Sequence, residues 1–128
     1  MKFDVNIPVR IFSGKGCLKQ NANRLILGRR AVIVCGRHGA RASGALDDVT
    51  SLLEAAGTDY MIFDKATENP PVEICHEGGR AASAFRADFI IGIGGGSALD
   101  SAKAIAAFAA NPGIEPLDIY DPEKLVNP

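Results

Sequence analysis

The 128-residue chain lacks several features that mark particular classes of protein. It has no tryptophan, and its three cysteines, Cys17, Cys35 and Cys75, are widely spaced without a CxxC pair. An odd and scattered set of cysteines argues against a disulfide framework and a zinc site, and is typical of small apolar residues in a reducing compartment. We therefore expect a cytoplasmic protein that folds without disulfides or a structural metal.

The sequence also lacks a strong charge of either sign and a long apolar run. Fourteen Lys and Arg against fifteen Asp and Glu give a formal net charge of -1, which disfavours nucleic acid and acidic lipid as partners. No stretch approaches the roughly 18 apolar residues that span a bilayer, and the first residues do not form an export signal. With 47% hydrophobic residues, the composition is that of one globular domain.

The first part of the chain has a regular pattern of apolar and polar residues. From Phe3 to Phe12, apolar and polar residues alternate except at Pro8, which predicts an edge strand or hairpin. An unpaired apolar edge invites pairing between copies of a chain, so a homodimer through this strand is expected.

Strands and helices are predicted to alternate over the rest of the chain. A helix is expected between Gly16 and Gly28, and short apolar runs at 31–35, 60–63 and 89–93 predict buried strands separated by helical segments. Right-handed crossovers then give a Rossmann-like α/β fold, a parallel sheet with flanking helices. The spacing of the last helix predicts that five residues face inward: Ala98, Ala102, Ile105, Ala106 and Ala109. No compact closing element is predicted after Asn111.

The strongest functional signal is Gly94-Gly95-Gly96-Ser97, where a buried strand is followed by a helix. Glycines let a phosphate approach the backbone closely, and a helix start offers unpaired N–H groups with a partial positive charge. The alternative is that these glycines serve only a tight turn and close packing. The segment matches neither the GxxxxGK[ST] nor the GxGxxG spacing.

The run GGGSALDSAK at 94–103 resembles the GGGSxxDxAK signature of the iron-containing alcohol dehydrogenases. The likeness extends back through Glu68-Asn69-Pro70, the strand at 31–36 and the turn at 12–16. The resemblance implies that residues 1–128 are a nucleotide-binding domain, and that the corresponding N-terminal strands pair across a dimer. The full-length parent would reversibly oxidise a primary alcohol or diol to an aldehyde, using a nicotinamide cofactor.

The resemblance also implies roles for individual residues. Gly95, Gly96 and Ser97, in the turn that Gly94 begins, would contact the cofactor's pyrophosphate. Asn69 would border the adenine ribose, and Asp100 would lie near the cofactor within the cleft. Asp100 could instead stabilise the first turn of its own helix, and Lys103 could pair with a carboxylate to fix that helix.

Gly36 bears on the choice of cofactor. Family members that prefer NAD often carry an aspartate there, whose carboxylate binds the ribose hydroxyls and repels a 2'-phosphate. This chain has Gly36 followed by Arg37, His38 and Arg41, cations and backbone donors suited to a dianion. The pattern predicts NADP, with NAD possible. The alternative is a solvated basic loop.

The family's catalytic iron or zinc is held by an aspartate and three histidines on a second, helical domain. This chain has only His38 and His76, without ligand spacing, so neither a metal site nor a catalytic residue is predicted in it. His76 is expected on a helix surface. The resemblance therefore implies the NADP-binding half of such an enzyme, with the metal-binding domain absent from this chain. The alternative is a noncatalytic nucleotide-binding or assembly module.

Overall fold

The computed structural model of the protein describes residues 16–67 and 71–120. The edge strand or hairpin predicted at Phe3 to Phe12, and the dimer contact predicted through it, lie outside these residues. The elements follow in the order α1 Cys17–Gln20, α2 Ala22–Leu25, β1 Arg30–Cys35, α3 Gly39–Ala42, α4 Ala45–Ala55, β2 Asp59–Phe63, α5 Val72–Phe85, β3 Phe89–Ile93, α6 Gly96–Ala110 and a 3-10 helix at Pro116–Tyr120.

The described strands form one parallel sheet in the order β2-β1-β3. β1 lies in the centre, where Ile33 pairs with Ile62 on one side and with Ile91 on the other. Residues Ala31 to Cys35 are fully buried, because helices cover both faces of the sheet. The predicted parallel α/β fold is confirmed.

Each face of the sheet has its own apolar layer, because successive strand residues point to opposite sides. Ala31, Ile33 and Cys35 pack against α3 and α4. Val32 and Val34 pack against α5 and α6. The helical residues buried in these layers are Ala40, Leu46, Val49 and Leu53 on the first face, and Cys75, Ala82, Ala98, Ile105 and Phe108 on the second.

The Asp88 side chain links two loops at the end of the sheet where the strands begin. The Asp88 carboxylate accepts the backbone N–H of Arg29 at 2.9 Å and that of Arg30 at 3.0 Å. Both hydrogen bonds lower the pKa of the Asp88 carboxyl, and the bond from Arg29 has the larger effect. The loop before β1 and the loop before β3 are thereby held together.

The helix expected between Gly16 and Gly28 is two short helices, α1 and α2, separated by Asn21. The Asn21 side-chain amide donates to the Cys17 carbonyl at 2.8 Å, which the Asn21 backbone N–H also approaches to 3.0 Å. A side chain that competes for a helix carbonyl in this way favours an end to the helix.

Two expectations about the end of the chain were wrong. Ala106 of α6 is exposed, and the buried residues of this helix are Ala98, Ser101, Ile105 and Phe108. Ser101 can be buried because its hydroxyl donates to the Ser97 carbonyl at 2.8 Å. A closing element also exists after Asn111, since Ile114 and the 3-10 helix residue Ile119 pack against the layer formed by α5 and α6.

Candidate nucleotide-binding site

A cleft of about 420 Å³ opens where the three described strands end. The ends of β1 and β3, the first residues of α3 and α6, and the loop after β2 form its walls. Its lining consists of Gly36, Gly39, Ala40, Ala66, Thr67 and the run from Ile93 to Ala98. Ligands of open parallel α/β sheets bind at this edge. Gly36 and the predicted glycine turn are therefore brought together on one cleft.

The three glycines of the turn differ in what surrounds them. Gly94 has a φ of 139°, and a Cβ built on it would lie 2.9 Å from the Ala98 Cβ, so the fold itself requires glycine there. A Cβ on Gly95 or Gly96 would meet no atom within 4 Å. Turn formation and packing therefore account for Gly94 alone. The open space at Gly95 and Gly96 leaves room for a phosphate to approach the backbone.

Helix α6 begins at this turn with unused hydrogen-bond donors. Gly95 precedes the helix and no side chain caps it. The Leu99 N–H is the first to reach a carbonyl of the turn, that of Gly95 at 3.1 Å, so the N–H groups of Gly96, Ser97 and Ala98 have no helix carbonyl to bind. Donors of this kind, at the positive end of a helix of 15 residues, suit an anion.

Gly36 forms the opposite wall of the cleft. The Ala66 N–H donates to the Cys35 carbonyl at 3.2 Å, and a Cβ on Gly36 would lie 3.3 Å from the Ala66 carbonyl oxygen. A glycine here lets the loop after β2 approach the end of β1. Sequence reasoning missed Ala66 and Thr67 as lining residues, because neither has a distinctive side chain. Their place directly after a parallel strand was the only signal.

The basic residues after Gly36 lie beside the cleft, but they do not line it. Arg37 and His38 are exposed. Arg41 belongs to the short helix α3, which the sequence did not predict, and its Nη1 lies 3.1 Å from Asp64 Oδ2. Asp64 was missed in the sequence because only the pairing of β1 with β2 brings it to this rim.

Of the residues assigned by the resemblance, Asp100 does not line the cleft. Asn69 lies outside the described residues. The exposed Asp100 borders a separate pocket together with Val72 and Tyr120, and Lys103 Nζ lies 4.0 Å from its Oδ1. This contact fits the alternative of a carboxylate partner for Lys103. Asp100 itself does not lie in the first turn of α6, which contains no acidic residue, so its role stays a prediction.

His76 is half-buried on α5 and takes part in packing, so it is more than the surface residue that was expected. Its Nε2–H donates to the Ile114 carbonyl at 2.8 Å, and its ring meets Phe108 edge-on at a centroid distance of 5.0 Å. Within the two described ranges, no three His, Cys, Asp or Glu side chains converge to hold a metal ion. The same ranges contain no helix that is long and apolar enough to cross a membrane.

The fold and the glycine turn together define a class, the Rossmann-like α/β domains that bind nucleotides. The family model "Iron-containing alcohol dehydrogenase" matches residues 8–127. The chain belongs to the iron-containing alcohol dehydrogenase family, as its GGGSALDSAK run predicted.

Relatives with either cofactor resemble the chain about equally. It is 34% identical over 116 residues to the NADPH-dependent butanol dehydrogenase of Clostridium saccharobutylicum, covering 91% of this chain and 29% of that enzyme. It is 36% identical over 109 residues to the NAD-dependent methanol dehydrogenase of Bacillus methanolicus, covering 84% and 28%. The chain thus spans less than a third of the length of either relative.

A solved structure shows the same fold. The crystal structure of an iron-containing alcohol dehydrogenase from Thermotoga maritima superposes with a TM-score of 0.88 and 32% sequence identity. The superposition covers 98% of this chain and 35% of that one.

Proposed function

We propose that this chain supplies the cofactor-binding part of an iron-containing alcohol dehydrogenase, and that the pyrophosphate of the cofactor binds at Gly95, Gly96 and Ser97. The open space above Gly95 and Gly96 at the uncapped start of α6 carries this proposal. The backbone N–H groups of the turn hold the phosphates, and the Ser97 hydroxyl adds a further donor. The bound cofactor supplies the hydride acceptor for alcohol oxidation.

NADP is the cofactor that we propose, with NAD as the second choice. Gly36 leaves the end of β1 without a carboxylate, and Arg37 and His38 are exposed beside the cleft. An arginine favours a dianionic 2'-phosphate over a neutral hydroxyl. The similarity to relatives does not favour either cofactor, because NADPH-dependent and NAD-dependent enzymes match almost equally well.

The reaction of the whole protein would be the reversible oxidation of a primary alcohol or diol to an aldehyde. An iron or zinc ion would polarise the substrate oxygen in the family's helical domain. The residues described here would orient one reactant, the dinucleotide, along the cleft from the glycine turn toward the ends of β1 and β2.

Replacing Gly95 by Val tests the site. The variant is expected to fold, because a Cβ on Gly95 meets nothing within 4 Å and its φ of -81° is open to any residue. The branched side chain would fill the space assigned to the phosphate. We expect NADPH affinity to fall by about 30-fold or more, the equivalent of one or two charge-assisted hydrogen bonds, with an unchanged circular-dichroism spectrum.

Ala106→Val is the matched control, because Ala106 lies on the exposed side of the same helix. It adds the same branched side chain away from the cleft and should retain the parental affinity. Undiminished NADPH binding by a folded Gly95→Val protein would disprove the assignment of the turn.

A further inference from the structure

An ion pair bridges one rim of the cleft. Arg41 belongs to α3, whose residues Gly39 and Ala40 line the cleft, and Asp64 begins the loop that supplies Ala66 and Thr67. Arg41 Nη1 lies 3.1 Å from Asp64 Oδ2 and also donates to the Arg37 carbonyl at 3.2 Å. Both side chains are about half exposed, 46% for Arg41 and 40% for Asp64. Solvent therefore reaches both side chains, which lie at the rim without lining the cleft itself.

The proposed function places the 2' position of the adenine ribose near this rim. With the pyrophosphate at the glycine turn, the opposite wall of the cleft is formed by Gly36, Ala66 and Thr67. The adenosine half must extend toward that wall, because the cleft runs from the turn to the ends of β1 and β2. The Arg41–Asp64 pair stands directly beside it.

The charges of this rim largely cancel. Lys65 Nζ lies 2.6 Å from Glu77 Oε1, so Lys65 is paired just as Arg41 is. In the part of the chain that the structure describes, Arg37 is left as the basic residue of this rim without a carboxylate partner, with His38 beside it. Asp64 therefore lowers the positive potential that a 2'-phosphate would meet.

We propose that Asp64 determines how strongly this protein prefers NADP over NAD. Asp64 holds the Arg41 guanidinium in an ion pair, withholding it from a 2'-phosphate, and it places a negative charge near that dianion. NAD has a neutral 2'-hydroxyl, so neither the pairing of Arg41 nor the negative charge of Asp64 changes its binding much. Asp64 is a specificity-determining residue, and the inference rests on the proposed cofactor site.

The test is Asp64→Asn, which removes the charge and keeps the size of the side chain. Dissociation constants for NADPH and NADH are measured by calorimetry at low ionic strength, where charge effects are least screened. We expect NADPH to bind about 3- to 10-fold more tightly, and NADH to change by less than about twofold, as befits a partly exposed charge. Asp64→Ser provides a second neutral variant with the same expected direction.

Asp59→Asn is the matched control. Asp59 lies at the other end of the same strand, where its Oδ2 is 3.1 Å from Arg30 Nη1. This variant changes the net charge equally and breaks an equivalent pair far from the cleft. Its ratio of NADPH to NADH affinity should equal that of the parent. Adenosine 2',5'-bisphosphate and 5'-AMP, used as probes of the adenosine half alone, should repeat both results.

A double variant identifies the cation. Adding Arg41→Gln to Asp64→Asn should cancel most of the gain in NADPH affinity, because the released guanidinium is its main source. The inference is overturned by an unchanged affinity ratio in Asp64→Asn, by a ratio that changes only because NADH binds more weakly, or by a full gain that persists in the double variant. If the parent binds neither dinucleotide, the proposed function itself is wrong, so the two failures are distinguishable.

Discussion

At the scale of the residue, the glycines of the turn separate what the fold needs from what a ligand needs. Gly94→Ala is expected to lower the free energy of unfolding by about 1–3 kcal/mol, the cost of a strained backbone conformation. The reason is its φ of 139° and the 2.9 Å approach that its Cβ would make to the Ala98 Cβ. Urea unfolding followed by circular dichroism measures this loss.

Gly96→Ala is the comparison for that experiment. A Cβ on Gly96 meets no atom within 4 Å, and the residue is the first of α6. Alanine is favoured over glycine in a helix by up to about 1 kcal/mol, so the stability of this variant should stay level or rise slightly. Equal losses in the two variants would contradict the distinction between the glycines.

The buried cysteines are a second residue-scale feature, and they take no part in the proposed chemistry. Cys35 ends β1 next to the cleft, and Cys75 lies in α5. Burial raises the pKa of both thiols, so each remains protonated at neutral pH and is a poor nucleophile. This agrees with their interpretation as small apolar core residues.

At the scale of the element, the strength of the sequence pattern decided what could be predicted. The apolar runs of the three described strands were unambiguous, and glycine or proline marked the ends of the long helices, except that α5 ends before Arg86, which is in the left-handed conformation with a φ of 59°. α3 could not be predicted because Gly39–Ala42 is a single turn, too short for a periodic signal. The inward face of α6 was partly misassigned because alanine occurs on all sides of this helix, so burial there depends on the neighbouring helix.

The packing of α5 on α6 allows a sharper test at this scale. Gly79 is buried where the helices meet, and a Cβ on it would overlap the Phe108 Cβ, which is fixed by the backbone of α6. Gly79→Ala should therefore cost about 1–3 kcal/mol of stability through overpacking. Thermal and urea unfolding would measure the loss.

Gly78→Ala is the matched control for the helix contact. A Cβ on Gly78 would lie 2.7 Å from Ile105 Cδ1, 2.8 Å from Ile105 Cγ1 and 3.1 Å from Phe63 Cε1. All three are side-chain atoms beyond Cβ, which can shift more readily than the Phe108 Cβ that the backbone fixes. Because these side chains can move and alanine has a higher helix propensity than glycine, Gly78→Ala should lose less stability than Gly79→Ala. The opposite ranking would show that the helices adjust their separation freely.

At the scale of the whole molecule, the parts of the candidate site formed by residues adjacent in sequence could be predicted. The parts brought together by strand pairing were missed. The glycine turn is one continuous run, so its position after a strand and before a helix could be deduced directly. Asp64 reaches Arg41 only because β2 lies beside β1, and no local pattern in the sequence indicates that contact. The homodimer through Phe3 to Phe12 stays a prediction, to be tested by light scattering.

The last prediction concerns what the 128-residue chain does by itself. We expect it to bind NADPH but not to oxidise alcohols, even with added Fe²⁺ or Zn²⁺. Hydride transfer requires the nicotinamide to be aligned with a metal-bound alcohol, and such alignment is worth roughly 7 to 11 kcal/mol in well-oriented systems. The sequence has two histidines, and His76 already donates to the Ile114 carbonyl.

The measurement is NADPH formation with small primary alcohols and diols, using protein of known metal content. A full-length family member assayed with the same metals serves as the positive control. Because the residues that the structure describes contain no convergent set of three metal-binding side chains, added metal should leave the rate at background. Turnover that disappears on chelation and returns with metal would show that a catalytic site lies within these 128 residues.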